Sequence, residues 1–474
     1  MTSKRLLLLN LAALSHWELG EGCPNLTALA ERGSSRPMSA PAPALTSPSH
    51  ATFVTGLSPQ EHGVIGNGWF EPTHSKVMNW PRSDQVISGP RLWDELKARR
   101  PEASAVSLFW RFCTHSSCDL TLTERPTYFA NGRKGADVYS SDPSFKQAVI
   151  ERFGAFPFFH FWGPKAGVAS SEWILKVAEY TLETRRPELL MCYAPGLDYE
   201  GQRFGPRSPQ ARQALREMDH HLGALFERAE RLGYDIAVVS DYGFTEVSRP
   251  ITLNKALREA GHLVVDEAVN GDLLEPNASQ AFAVCDNQVA QVYVRGEEGW
   301  GTTPSEATLS ELKALLSAQE GVREVWSRGE GGALWHERAG ALCVIAEPDA
   351  WFTYEYWLDP RRAPDFYQCV DIFNKPGFDP TEMFMRPGIT GALHAVKRFA
   401  QLKLGIRAPF DVISGDPSMI RGARAIKPRS LKEEGAVLIT SWRAQAEGDV
   451  EMTEVKDLLL TRLTTQGEEG ALTR

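Results

Sequence analysis

The stretch Ala44-Leu-Thr-Ser-Pro-Ser-His-Ala-Thr-Phe-Val-Thr-Gly-Leu57, running on to His62-Gly-Val-Ile-Gly-Asn67, is the one around which the chain is organised. A turn ending in Thr46-Ser47-Pro48 leads into a short helical run, Ser49 to Thr55, closed by Gly56. Proline suits a first helical turn, because its missing N–H would have found no intrahelical partner there. Thr46 is thereby set where the free N–H groups of a helix N-terminus point, a place that holds anions. A hydroxyl beside an anion pocket is one arrangement for phosphoryl or sulfuryl transfer. Taken alone, Thr46 reads more readily as an ordinary N-cap, and the rest of the chain has to separate the two readings.

With 474 residues the chain is too long for one minimal core, and suits a large α/β domain with insertions or two to three domains. Hydrophobic content of 42% and charged content of 23% are ordinary for a globular protein. A formal net charge of -9 gives no electrostatic case for nucleic acid or an anionic membrane, so neither is expected as a partner. A phosphorylated small molecule remains open, since a local pocket can differ in sign from the whole. The cysteines (Cys23, Cys113, Cys118, Cys192, Cys285, Cys343, Cys369) are scattered and form no CxxC pair. They signal neither a zinc framework nor a disulfide set, and read as thiols of a reducing, cytoplasmic setting. Met1-Thr-Ser-Lys-Arg5 followed by Leu6–Ala13 imitates a secretory leader. That run is short, broken by Asn10 and without a small-x-small cleavage site, and a buried first strand explains it better. No later run is long enough to span a membrane.

In chain order, Leu6–Leu11 reads as a buried parallel strand, and Cys23–Gly33 as a helix with Pro near its start and Gly past its end. Arg91–Arg99 is a short helix and Ala105–Trp110 a second strand. Cys113 to Ser171, rich in aromatics, Gly and Pro, reads as loops covering a site. Glu188–Tyr193 is a strand, followed by a Gly-rich loop with Asp198. Ser208 to Gly233 carries one apolar stripe at helical period, and Asp235–Ser240 is the next strand. This strand–helix–strand pattern places Asp198 and Asp241 at the carboxyl edge of a sheet. The expected division is an α/β core over 1–265, a small α+β cap over 266–350, a second part of the core over 351–430 and a C-terminal extension over 431–474.

The ordered set Pro24-Asn-Leu-x-x-Leu-Ala-x-x-Gly33, Thr46-x-Pro-x-His50, Thr55-Gly-Leu-x-Pro-x-x-His-Gly63, Gly66-Asn67 and Ser240-Asp-x-Gly243 resembles the alkaline phosphatase superfamily. More narrowly it resembles the nucleotide pyrophosphatase/phosphodiesterase branch. The resemblance is strong over Leu6–Trp69 and patchy over Glu188–Phe244. It implies a largely parallel sheet with helices on both faces, and hydrolysis of a phosphodiester or pyrophosphate bond. In that family a Thr or Ser nucleophile lies between two divalent ions. By motif, Thr46 matches the nucleophile and Asn67 the donor to a phosphoryl oxygen. Asp198 and Asp241 match metal ligands.

The chain departs from the family at the other ligand positions. Asn10 stands for an acidic ligand, Gln202 for one His and Tyr242 for another. No His-Gly turn supplies the last, for which Asp379 and the Gly422-Ala-Arg424 segment are candidates. An oxygen-only set of Asn10, Asp198, Gln202, Asp241 and Asp379 suits magnesium or manganese over zinc, or holds no ion. Three readings stay open: a hard-metal hydrolase, a metal-independent enzyme such as a transferase using the same Thr, and a non-catalytic ligand-binding relative. Tyr242 and Arg203 are candidates to contact a substrate, as is Arg133-Lys134. His50 is a candidate base. Phe161-Trp162 and Trp351–Trp357 could stack on a flat group.

Overall fold

The N-terminal apolar run becomes the centre of a nine-stranded sheet. In the computed structural model, which describes residues 4–130, 134–330, 335–444 and 446–465, Arg5–Leu11 pairs in parallel with Leu189–Ala194 on one side and Tyr234–Val239 on the other. A strand covered on both faces must be apolar on both, which is why Leu6, Leu7, Leu8, Leu9 and Leu11 show no alternation and are all fully buried. The sheet order is Val450–Glu451, Ser34–Ser39, Ala436–Thr440, Tyr234–Val239, Arg5–Leu11, Leu189–Ala194, Ala105–Leu108, Leu120–Glu124, Val138–Ser140. All strands but Ala436–Thr440 and Val138–Ser140 run the same way. Two helix packs cover the faces: Pro24–Arg32, Val168–Thr184 and Pro209–Arg231 in one, Thr46–Thr55, Leu92–Arg99 and Val455–Thr464 in the other. The protein is thus an α/β fold of the expected class. Register sets Asn10 level with Tyr193 and with Val239, so the residues following these three strands meet at one carboxyl edge.

A second, antiparallel sheet of Ala281–Asp286, Val289–Val294, Leu342–Ala346 and Val322–Ser327 carries the helix Glu306–Ser317. Its apolar cluster includes Trp69, Phe70 and Phe282, as well as Phe352, Tyr354 and Trp357. The Trp351–Trp357 segment is therefore core and not a stacking platform. The hairpin between its first two strands, Asp286-Asn287, reaches back to the carboxyl edge of the main sheet.

Three segments differ from the sequence reading. Cys113 to Ser171 contains two strands of the main sheet and the helix Pro143–Phe153, besides loops. Residues 351–430 add no strand to the main sheet and run over its carboxyl edge as short pieces and one long helix, Gly388–Lys403. The stretch from Leu431 is no appendage, since Ala436–Thr440 lies inside the sheet between Ser34–Ser39 and Tyr234–Val239. The long sequence separation of these pairings hides them from any local pattern. Ile439 is completely buried, so Ile439→Ala is expected to lower unfolding free energy by about 2–5 kcal/mol. In denaturant titration, a loss under about 0.5 kcal/mol, the level of an ordinary surface site, would contradict an integral strand.

Candidate functional site

All ten residues of the helix Thr46–Thr55 are buried, and Gly56 closes it in the left-handed conformation at φ 69°. The helix starts earlier than the Pro48 signal suggests. Leu45 takes the N-cap position in extended backbone, so Thr46 is not the cap and makes no capping bond. Its Oγ1 instead lies 3.4 Å from the Tyr242 hydroxyl. The Ser47 N–H of the same helix end donates to Asn67 Oδ1 at 2.9 Å, and Ser49 Oγ ties the helix to the Asp241 carbonyl at 2.7 Å.

Asp198 opens the short helix Asp198–Phe204, just past Leu189–Ala194. The Tyr242 hydroxyl donates to Asp198 Oδ1 at 2.8 Å, and the Gln202 amide donates to its other oxygen. Arg424 arrives from Gly422–Arg424, which pairs antiparallel with Phe244–Glu246 and sets Arg424 opposite Phe244. Its buried guanidinium lies 3.6 Å from Asp198, 3.7 Å from Asp286, and 4.6 Å above the Tyr242 ring. Among the described residues its Nε and Nη1 find no hydrogen-bond partner. Asp286 takes the Asn67 amide at 2.8 Å and the Asn287 amide at 2.8 Å. The Arg424 backbone N–H donates to Asn287 at 3.2 Å.

Charge among these carboxylates is set by burial and by Arg424. Burial pushes Asp241 up to about 8, although Arg424 pulls the other way and Asp198 adds to the rise. Burial also raises Asp286, against Arg424 and the two amides. For Arg424 burial opposes the charge, but Tyr242, Asp198 and Asp286 outweigh it and raise its pKa. His50 is held well below its ordinary range by burial and then by Arg111. Its neutral ring accepts the Arg111 N–H at 3.0 Å and meets the Asn10 amide at 2.7 Å. His50 thus anchors the helix and stands against Asn10, with no bond to Thr46.

Thr46, Asp198 and Arg424 face a cavity of about 330 Å³. Tyr193 and Tyr199 flank them, and the outer wall is aromatic, with Trp80, Phe156, Phe158, Phe161, Trp162 and Phe373 among its residues. Arg111 lines it while bonded to Glu124 at 3.2 Å and stacked 5.3 Å from Trp80. The loops of 156–164 do cover the site, as the sequence suggested.

Other expected residues lie elsewhere. Asp379 bonds the buried Lys375 at 2.7 Å and caps Thr381 at 2.9 Å; Lys375, which also meets Glu382, needs it as a counter-charge. Arg424, from the second candidate segment, is the residue that reaches the site. Arg203 spends its guanidinium on Glu200 and the carbonyls of Ala166, Gly163 and Met383, pinning that loop rather than facing a substrate. Asn67 is bonded to Ser47 and Asp286 and does not line the cavity. Arg133 lies outside the described residues. Asp286, Asn287 and Glu124 were missed, and nothing local marks them: a carboxylate at a hairpin tip or strand end is usually solvated.

These residues do not fit a divalent pair. Asn10 is committed to His50, while Gln202 and Tyr242 both turn a proton toward Asp198. Arg424 brings its own positive charge into the same space, where a bound dication would be repelled. Among the described residues no group of three or more His, Cys, Asp or Glu is placed to hold a metal ion. The expected magnesium or manganese set of Asn10, Asp198, Gln202, Asp241 and Asp379 is therefore not assembled.

The Asp241 shift has a stability consequence. Below about pH 4 the carboxyl is protonated folded or unfolded. As pH rises from there toward 8 the unfolded chain ionises while the folded one keeps its proton, so folding stability falls. Asp241→Asn removes the ionisation, and its melting temperature should gain on the wild type steadily between pH 5 and 8. Parallel melting curves across that range would contradict a neutral Asp241.

Comparison with known proteins agrees with this architecture. Residues 10–379 match the type I phosphodiesterase / nucleotide pyrophosphatase family. An uncharacterized pyrophosphatase/phosphodiesterase of Schizosaccharomyces pombe is 28% identical over 237 residues, 48% of this chain and 41% of the relative. A bis(5'-adenosyl)-triphosphatase of Bos taurus is 26% identical over 270 residues, 53% of this chain and 50% of the relative. The match thus spans half or less of these relatives' lengths. Among solved structures, phosphonoacetate hydrolase from Sinorhizobium meliloti with phosphonoformate aligns at TM-score 0.61 and 15% identity, covering 97% of this chain and 96% of that one. Murine ectonucleotide pyrophosphatase/phosphodiesterase 5 with AMP aligns at 0.56 and 15%, covering 98% and 96%. At that identity the likeness concerns the fold. With 10–379 matched, the chain belongs to the type I phosphodiesterase / nucleotide pyrophosphatase family.

Proposed function

We propose that this protein cleaves a phosphodiester or pyrophosphate bond of a small phosphorylated molecule at Thr46, with Arg424 in place of metal ions. The observation that carries the reading is the chain Thr46–Tyr242–Asp198, at 3.4 and 2.8 Å, whose two ends, Thr46 and Asp198, line the cavity. As Thr46 Oγ1 attacks phosphorus, its proton passes to the Tyr242 oxygen while the Tyr242 proton passes to Asp198. The bond to the leaving oxygen breaks, and water then hydrolyses the phosphothreonine and returns the hydroxyl. The guanidinium of Arg424 and the helix N-terminus face the negative charge that develops on the phosphoryl oxygens. Aromatic walls suit a substrate with a flat or apolar body, and a nucleobase, as in the AMP-bound murine structure, is one such group. The seven unpaired thiols support a cytoplasmic setting.

One observation favours a second reading, a binder that does not cleave. The Asn67 amide, expected to meet a phosphoryl oxygen, is given to Asp286, whose carboxyl stands near Arg424. Turnover of bis(p-nitrophenyl) phosphate in EDTA separates the two. Hydrolysis is expected to survive chelation, to fall at least about a hundredfold in Thr46→Ala, and to be partly kept in Thr46→Ser. No turnover in wild type, with p-nitrophenyl phosphate bound equally by wild type and Thr46→Ala, would overturn cleavage in favour of binding.

A further inference from the structure

The helix Gly388–Lys403 buries little of its apolar surface. The side facing the protein buries only Gly391 and Ala395 and is pinned by His394 and Arg398, which both bond Asp411, at 3.0 and 2.6 Å. Its apolar side faces solvent: Ile389 is 80%, Leu393 64%, Val396 64% and Leu404 77% exposed. These recur at helical spacing and form one stripe. A surface helix normally buries such a stripe, and a contiguous exposed one marks an interaction site. From Glu382 to Asp411 the sequence has no acidic residue between, while Lys397, Lys403 and Arg407 stand exposed along the stripe.

We propose that this helix lies in the surface of a lipid bilayer bearing anionic headgroups. An apolar stripe edged by Lys and Arg is the pattern of a helix lying in the plane of a membrane. The chain's total charge of -9 opposes such binding, but the face that would touch the bilayer carries the opposite sign. A second copy fits less well, because two-fold pairing would bring two faces of the same positive sign together. Continuity with the cavity supports the choice. Phe399, on this helix, belongs to the cavity wall and is 39% exposed, and the lining residues Met385 and Phe159 are 39% and 41% exposed. The cavity mouth therefore opens next to the stripe. An amphipathic phosphodiester could pass from the bilayer into the aromatic cavity with its phosphate toward Thr46. That consequence rests on the cleavage proposed above; the docking does not.

Co-sedimentation with vesicles tests it, using phosphatidylcholine alone and phosphatidylcholine mixed with phosphatidylglycerol. The intact protein is expected to pellet with the mixed vesicles and to be released by salt. The double variant Leu393→Ser/Val396→Ser changes only exposed positions and should pellet at background level while keeping the wild-type melting temperature. Lys397→Glu/Lys403→Glu should lower partitioning about tenfold or more. Thr46→Ala should still pellet, so loss of cleavage and loss of docking are told apart. Absence of wild-type binding to the mixed vesicles would overturn the proposal. So would equal pelleting of Leu393→Ser/Val396→Ser, or a concentration-dependent dimer that this variant abolishes.

Discussion

A single buried cation holds the carboxyl edge of this protein together. The Arg424 guanidinium lies within 4 Å of Asp198 and Asp286 and over the ring of Tyr242, in a region with almost no solvent access. Left alone, those carboxylates would face the cost of burying unpaired charge, on the order of several kcal/mol each. Asp241 shows the outcome where the cation is more remote, since burial keeps its proton on near neutral pH. Around Arg424 the other polar groups fall into place. Tyr242 and Gln202 donate to Asp198, Asn67 and Asn287 donate to Asp286, and Thr46 is left beside Tyr242. The family's usual electrostatic logic, carboxylates gathered about two dications, is here inverted into carboxylates gathered about one arginine.

The fold was legible because its signals are local. Leu6–Leu11 and Tyr234–Val239 declare buried strands by continuous apolar runs, and the stripe of Pro209–Arg231 declares its helix. The ordered motifs around Thr46 added the superfamily. What stayed hidden depends on contacts far apart in sequence. Ala436–Thr440 looked like part of a tail because its partners lie about 400 and 200 residues earlier. In the site, Thr46, Asp198, Asp241 and Tyr242 were found by motif and do converge. Asp286 comes from a hairpin of the second sheet, and no pattern within that hairpin distinguishes it from a solvated turn. Asp379 was a plausible ligand by position but is claimed by the buried Lys375. Arg203 was a plausible anion contact, but backbone carbonyls outbid any ligand for it.

The cavity has a polar floor beneath apolar walls. Thr46, Asp198 and Arg424 supply the floor, and the aromatic segment around Phe156–Trp162 supplies much of the wall. Phe399, part of that wall, lies on the same helix as the exposed stripe of Gly388–Lys403. The aromatic walls suit the proposed substrate, an ester whose non-phosphate part is flat or apolar. The lack of acidic residues along Gly388–Lys403, in a chain that is acidic as a whole, points the same way.

We propose that Arg424 supplies beside Asp198 and Asp286, with its own charge, what divalent ions would otherwise supply. Calorimetric titration of the purified protein with zinc, and separately with manganese, tests this directly, with Asp198→Asn as the comparison. No stoichiometric binding event that distinguishes the two proteins is expected. One or two equivalents of either ion bound by the wild type and lost in Asp198→Asn would contradict it.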